Sequence, residues 1–148
     1  MARKKEVIDE FEDLAREEPK YPQQELAIIV PVPPSVNHMY QSAGRGRRLT
    51  KEATKYIKIV QEEAKRAIKE RKWKKDNPCV WYVMDLYYYF PDKKVRDSHN
   101  TLKILTDALE GLVFPNDYFV LPRIQYVTLD RKNPRLELIC YPQSVNKN

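Results

Sequence analysis

The sequence predicts an α+β domain: a small mixed β-sheet flanked by two main helices, in the order β-α-β-α-β-β. Three observations lead there. Residues 79–90, "CVWYVMDLYYYF", are β-branched and aromatic, the composition of a strand of the main sheet. From 51 to 70, Ala53, Tyr56, Ile57, Val60, Ala64, Ala67 and Ile68 recur at helical spacing and form one apolar stripe. Two further strand-like runs close the chain, "NDYFVLPRIQYVTLD" and "PRLELICY".

The N-terminal residues are charged throughout, with Val7, Ile8, Phe11 and Leu14 at helical spacing. They read as a helical or mobile extension over 1–22, ahead of one domain at 23–142 and a disordered tail at 143–148. Leu26 to Val30 is a short apolar strand. Pro31, Pro33 and Pro34 stop it, because proline removes ladder donors. "QSAGRGRRLT" reads as a flexible basic loop ending at Thr50, a suitable N-cap for the first helix. Opposite that helix's apolar stripe lie Lys51, Lys55, Lys58, Lys65 and Lys69, either a nucleic-acid contact or a solvated face. "RKNP", between the last two strand-like runs, signals a hairpin. There is no internal repeat.

Bulk properties narrow the function. The chain has 148 residues, 42% of them hydrophobic, enough for a core without disulfide staples. A net charge of +6 and a pI near 9.2 favour a polyanionic partner, nucleic acid first. Cys79 and Cys140 lie far apart with no metal-ligand spacing, so buried free thiols in a reducing compartment are expected. Neither a signal peptide nor an apolar run of membrane-spanning length is present, which predicts a cytoplasmic protein with no membrane partner.

The stretch "RDSHNTLKILTDALEG" carries the chemistry. As a helix over 97–111, it places Leu102, Leu105, Ala108, Leu109 and Leu112 on one face. His99, Asn100, Lys103, Asp107 and Glu110 share the opposite arc. In the bland reading Asp97 or Ser98 is an N-cap and Lys103–Asp107 an i,i+4 ion pair. The functional reading adds Asp117, just beyond the helix. Two acids at the two ends of one helix converge only if the next strand folds back beside the helix start. Mg²⁺ takes hard oxygen ligands and keeps several waters, so two carboxylates and a substrate phosphate suffice. Metal-assisted phosphodiester hydrolysis then follows, with Lys103 stabilising charge on the phosphate.

Three blocks resemble the RusA family of Holliday junction resolvases of bacteria and their phages. "PVPPSVNHMY" is similar to the family's Pro-x-Pro-Pro-Ser-x-Asn segment, "RDSHNTLKILTDALEG" to its Asp-x-Asp-Asn run with a following lysine and Asp-Ala-Leu, and "FPNDYFV" to its acidic turn. The resemblance spans about residues 25–141. It implies a homodimeric, Mg²⁺-dependent endonuclease that cuts four-way DNA junctions by paired incisions in recombination and repair. Asp97, Lys103 and Asp117 match family positions, with Asn116 where some members have an acid. His99 departs from the pattern by standing where a relative has its second acid. It could ligate the metal, favouring Mn²⁺ over Mg²⁺. It could act as a general base or proton shuttle. Or it could mark a weakened site, leaving a protein that mainly binds branched DNA.

Candidate phosphate contacts are Arg45, Arg47 and Arg48 in the basic loop, and Lys93, Lys94 and Arg96 beside the proposed centre. Tyr87–Tyr89 could stack on unpaired bases, though core packing is the ordinary fate of strand aromatics. His38, beside the proline turn, is expected to be structural. The sequence thus predicts a structure-specific endodeoxyribonuclease with Asp97, His99 and Asp117 at the metal. A non-catalytic DNA-binding module is the rival, and a regulator acting through the N-terminal arm a third reading.

Overall fold

The central strand, β4 (Tyr82–Phe90), carries apolar side chains on its even positions, and all of them are buried. Such a strand needs a hydrogen-bonded neighbour on each side and a covering layer. The computed structural model describes residues 25–34, 40–43, 46–75, 81–94 and 101–143; for Tyr40–Ala43, Gly46, Arg47 and Asp117 it describes the backbone alone. The extension 1–22, His38, Cys79 and residues 144–148 lie outside the described residues.

Four strands form the main sheet in the order β1-β6-β4-β5, where β1 is Leu26–Val30, β5 Val120–Leu129 and β6 Arg135–Pro142. β6 runs antiparallel to both β1 and β4, whereas β5 runs parallel to β4. This is the expected mixed sheet. One face is covered by α1 (Lys51–Arg71) and α2 (Leu102–Leu109), which share a single core with the sheet. The fold is therefore α+β. No helix among the described residues is long and apolar enough to cross a membrane.

Both helices follow from their patterns. Thr50 caps α1: its hydroxyl accepts the Ala53 N–H at 3.1 Å. The α1 stripe buries Ala53, Tyr56, Val60 and Ala64, and Tyr56 donates its hydroxyl to the Pro31 carbonyl at 2.9 Å. Burial pushes the Tyr56 hydroxyl well above its ordinary pKa, with Tyr88 adding to the rise. α2 buries Ile104, Leu105, Ala108 and Leu109, while Leu102 and Leu112 are half-buried. Its inward face is thus turned toward Ile104 relative to the expected stripe. After α2 the chain reverses at Gly111, whose φ of +81° favours glycine.

Two expectations need correction. The basic segment expected as a flexible loop forms an antiparallel pair, β2 (Tyr40–Ala43) and β3 (Gly46–Leu49). And β5 with β6 is not a hairpin, because β4 lies between them. Crossing one strand takes about 10 Å, which the five residues 130–134 span easily. The more apolar β4 claims the place between them. Cys140 is buried and free as expected, and burial pushes its thiol up to about 12, which makes it unreactive.

The sheet face away from the helices carries an acid inside the strand run. Asp85 is 7% exposed and accepts from Arg123 Nε (3.0 Å), Gln125 Nε2 (3.0 Å) and the Tyr141 hydroxyl (2.8 Å). Burial raises its carboxyl pKa. The hydrogen bonds from Arg123, Gln125 and Tyr141, with the Arg123 charge, outweigh this and hold it below the usual carboxylate range. Tyr87 and Tyr89 lie half-buried on this same face, Tyr89 edge-on to Tyr126 and under the Arg135 guanidinium. Only Tyr88 of the three is core.

A depressed folded pKa contributes stability above the unfolded carboxylate value of about 3.9, and that contribution is lost as pH falls through the folded value. Asp85→Asn should therefore cost about 1–3 kcal/mol at pH 7. In urea titrations the gap to wild type should shrink below about pH 4. A gap independent of pH would show that the charge is not what matters.

Candidate active site

The sheet has two ends, and they divide the candidate residues. At one end β1 finishes, since Val30 and Tyr88 both pair with Leu136. α1 starts here too, with Tyr56 bonded to Pro31. α2 also starts here: the hydroxyls of Thr101 and Tyr88 lie 2.6 Å apart in a buried contact. Burial raises the Tyr88 pKa, and the Thr101 bond pulls it partly back. This end gathers Arg48 from β3, Lys93 and Lys94 after β4, and Lys103 in the first turn of α2.

The opposite end holds Asp117. Phe114 packs beside Tyr82, their centroids 6.3 Å apart, and Trp73 donates Nε1–H to the Val113 carbonyl at 2.7 Å. A 3₁₀ turn, Asp117–Phe119, then leads into β5, where Val120 pairs with Tyr82. Asn116 shapes this turn by accepting the Tyr118 N–H on its side-chain oxygen at 3.1 Å. Phe119 meets Trp81 edge-on at 5.1 Å between centroids. Asn116, where some RusA members have an acid, thus has a conformational role.

The strand after α2 therefore does not fold back beside the helix start. Because β5 is parallel to β4, it begins at the far end of β4. Tyr82 and Tyr88 are roughly 20 Å apart along the strand, at about 3.3 Å per residue. Lys103 and the Asp117 backbone sit toward opposite ends of that span.

Lys103 Nζ lies 3.1 Å from Asp107 Oδ1, the i,i+4 pair the spacing predicts. Both side chains are substantially exposed, so the pair contributes little to stability and leaves the ammonium within reach of a phosphate. Lys94 donates its backbone N–H to Asp92 at 3.0 Å, which sets the turn leaving β4. Arg45, Arg96, Asp97, His99 and Asn100 lie outside the described residues, as do the side chains of Arg47 and Asp117. Among the described residues, no three His, Cys, Asp or Glu side chains gather to hold a metal ion. Asp97, His99 and Asp117 are the donor set the sequence predicts for a metal; two carboxylates would suit Mg²⁺ or Mn²⁺, and the imidazole would favour Mn²⁺. Asp85, which the sequence reading overlooked, was signalled by its position as a lone acid in a strand run.

The family model described as Endodeoxyribonuclease RusA matches residues 30–140. The chain belongs to the RusA endodeoxyribonuclease family. Asp97, His99, Lys103, Asp107 and Asp117 all lie within the matched span, as do both helices and strands β2 to β5. No curated protein matches the chain significantly. Membership of RusA makes this a nuclease fold and suggests junction-resolving activity.

Tyr88 anchors the start of α2 from the sheet. Tyr88→Phe should cost about 1 kcal/mol in chemical denaturation. It should also speed amide hydrogen exchange at Leu102–Ile104 more than in β6. Equal acceleration in both elements would mean that the hydroxyl stabilises the fold without holding the helix start.

Proposed function

We propose that this RusA protein is a metal-dependent, structure-specific endodeoxyribonuclease that resolves four-way DNA junctions by paired incisions in recombination and repair. The observation that carries the reading is the family match over 30–140, which takes in Asp97, Lys103 and Asp117 together. The concentration of Arg48, Lys93, Lys94 and Lys103 at one end of the sheet supports a phosphate backbone as partner.

Asp97 and Asp117, with His99, would hold Mg²⁺ or Mn²⁺. When bound, the ion supplies a Lewis acid for the phosphoryl oxygen and lowers the pKa of a coordinated water. Lys103 leaves Asp107 to meet the scissile phosphate and stabilise the charge that develops on it. Arg45, Arg47, Arg48, Lys93, Lys94 and Arg96 position the backbone. A four-way junction has two-fold symmetry, so a homodimer is its natural reader. The placement of Lys103 and the Asp117 turn at opposite ends of β4 favours a dimer in which Asp97 and Lys103 of one chain work with Asp117 of the second.

A synthetic four-way junction should be nicked in Mg²⁺ or Mn²⁺, with linear duplex cut far more slowly. Asp97→Asn and Asp117→Asn should each abolish nicking while retaining junction binding. Lys103→Ala should slow nicking about 100-fold. Co-expressing Asp97→Asn with Asp117→Asn should restore nicking, because half of the sites in each mixed dimer are then intact. Failure of that rescue would assign both acids to a single chain, and wild type that binds without nicking in either metal would leave only the DNA-binding module.

His99 stands where a relative has an acid, so it should set metal preference. His99→Asp should shift the optimum toward Mg²⁺ and raise nicking in that ion. Unchanged rates in both ions would make His99 a bystander.

A further inference from the structure

The outer surface of α1 carries a column of charge that the proposed centre does not use. Lys51, Lys55, Lys58, Lys65 and Lys69 are all exposed, at intervals that place one residue on each turn, with Glu62 filling the remaining place. At about 100° per residue they fall within an arc of roughly 80°, directly opposite the buried stripe. The other acids of the helix are set apart: Glu52, Glu63 and Glu70 lie on a flank roughly 100° around from the column. Glu63 pairs with Arg66 at 3.2 Å, off the column. Among the described residues no column lysine has a carboxylate within ion-pair distance. An ordinary solvated helix face mixes both signs and pairs them. This face holds five lysines and a single acid, Glu62, with no ion pair between them among the described residues.

From Lys51 to Lys69 the column climbs about 27 Å of helix axis. That equals roughly eight base pairs of duplex, which carries one phosphate per strand every 3.4 Å. Its N-terminal end adjoins exposed Arg48 at the end of the sheet where Lys103, Lys93 and Lys94 lie. From there it runs along the outside of the helix layer to the end that holds the Asp117 turn.

We infer that the α1 lysine column is a track for one duplex arm of the DNA substrate, continuous at its start with the proposed cleavage end. The inference rests on the DNA reading above and adds to it a second contact surface, distant from the incision. It assigns to α1 the task of fixing the direction in which an arm leaves the centre. The contact is to phosphates, so it carries no base sequence information. Glu62 is the single like-charged residue on the path and weakens the track.

The test is the salt dependence of junction binding without divalent metal, followed by fluorescence anisotropy on the full chain. Removing three phosphate contacts should flatten the slope of log K against log salt by about 2.7, at about 0.9 for each contact. That change is expected for Lys55→Gln/Lys58→Gln/Lys65→Gln. Arg66→Gln/Arg71→Gln/Lys74→Gln removes the same charge off the column and should alter the slope by less than about one. Glu62→Gln should tighten binding, a gain that misfolding cannot produce. Equal flattening by the two triple variants would reduce the effect to net charge and overturn the track. So would an unchanged slope in the column variant while wild type binds with a steep one. Wild type that binds no junction would overturn the DNA reading itself and the track with it.

Discussion

The burial of β4 constrains the rest of the molecule. Its even-numbered side chains supply the middle of the core, so both of its edges must be paired and one of its faces covered. A parallel neighbour cannot be reached by a tight turn and requires a crossover, which here contains α2. That single connection fixes where Lys103 and the Asp117 backbone lie. The helix start is tied to the finish of β4 through Tyr88 and Thr101, and the Asp117 turn is tied to its beginning through Tyr82, Phe114 and Trp81. The separation of the two ends is thus a consequence of strand direction, not of any local feature of the site.

Much of the fold was legible in periodicity. The α1 stripe follows from side-chain spacing, the strand expected over 79–90 and found at Tyr82–Phe90 from its β-branched and aromatic composition, and the cap from Thr50 standing just before the helix; each depends on residues close in sequence. The supposed β5–β6 hairpin failed for the opposite reason. Two strands adjacent in sequence were read as adjacent in space, but the position between them goes to the strand with most to bury. The β2–β3 pair was hidden by its glycines and arginines, which resemble an unstructured linker in composition. At the site, the Lys103–Asp107 pair was readable because it is local to one helix. The relation between Lys103 and Asp117 was not, because it depends on whether β5 runs parallel or antiparallel to β4. Asp85 could have been found, since an isolated carboxylate in a strand requires partners.

The helix layer and the opposite sheet face divide their chemistry. The opposite face has paired its charges internally: Asp85 with Arg123, and Arg135 with Asp130 and Glu137. Among the described residues the outer face of α1 leaves its column lysines without an ion pair and keeps all its acids but Glu62 to one flank. A surface that neutralises itself is suited to stability, and one that keeps like charges together is suited to a polyanion. Family membership and this division point to the same class of partner from independent observations.

The pairing of β1 with β6 has a consequence for how the protein comes to be. Leu26 is registered against Cys140, so the first and last strands of the described sheet are neighbours. β6 also supplies one of the two edges that β4 requires. The sheet therefore cannot close while the chain is partly made, and such long-range closure is slow compared with local helix formation. Until Arg135–Pro142 arrives, β4 exposes a flat aromatic edge of the kind that recruits other chains. The nascent protein is accordingly most vulnerable to aggregation just before Arg135–Pro142 is available to pair with β4.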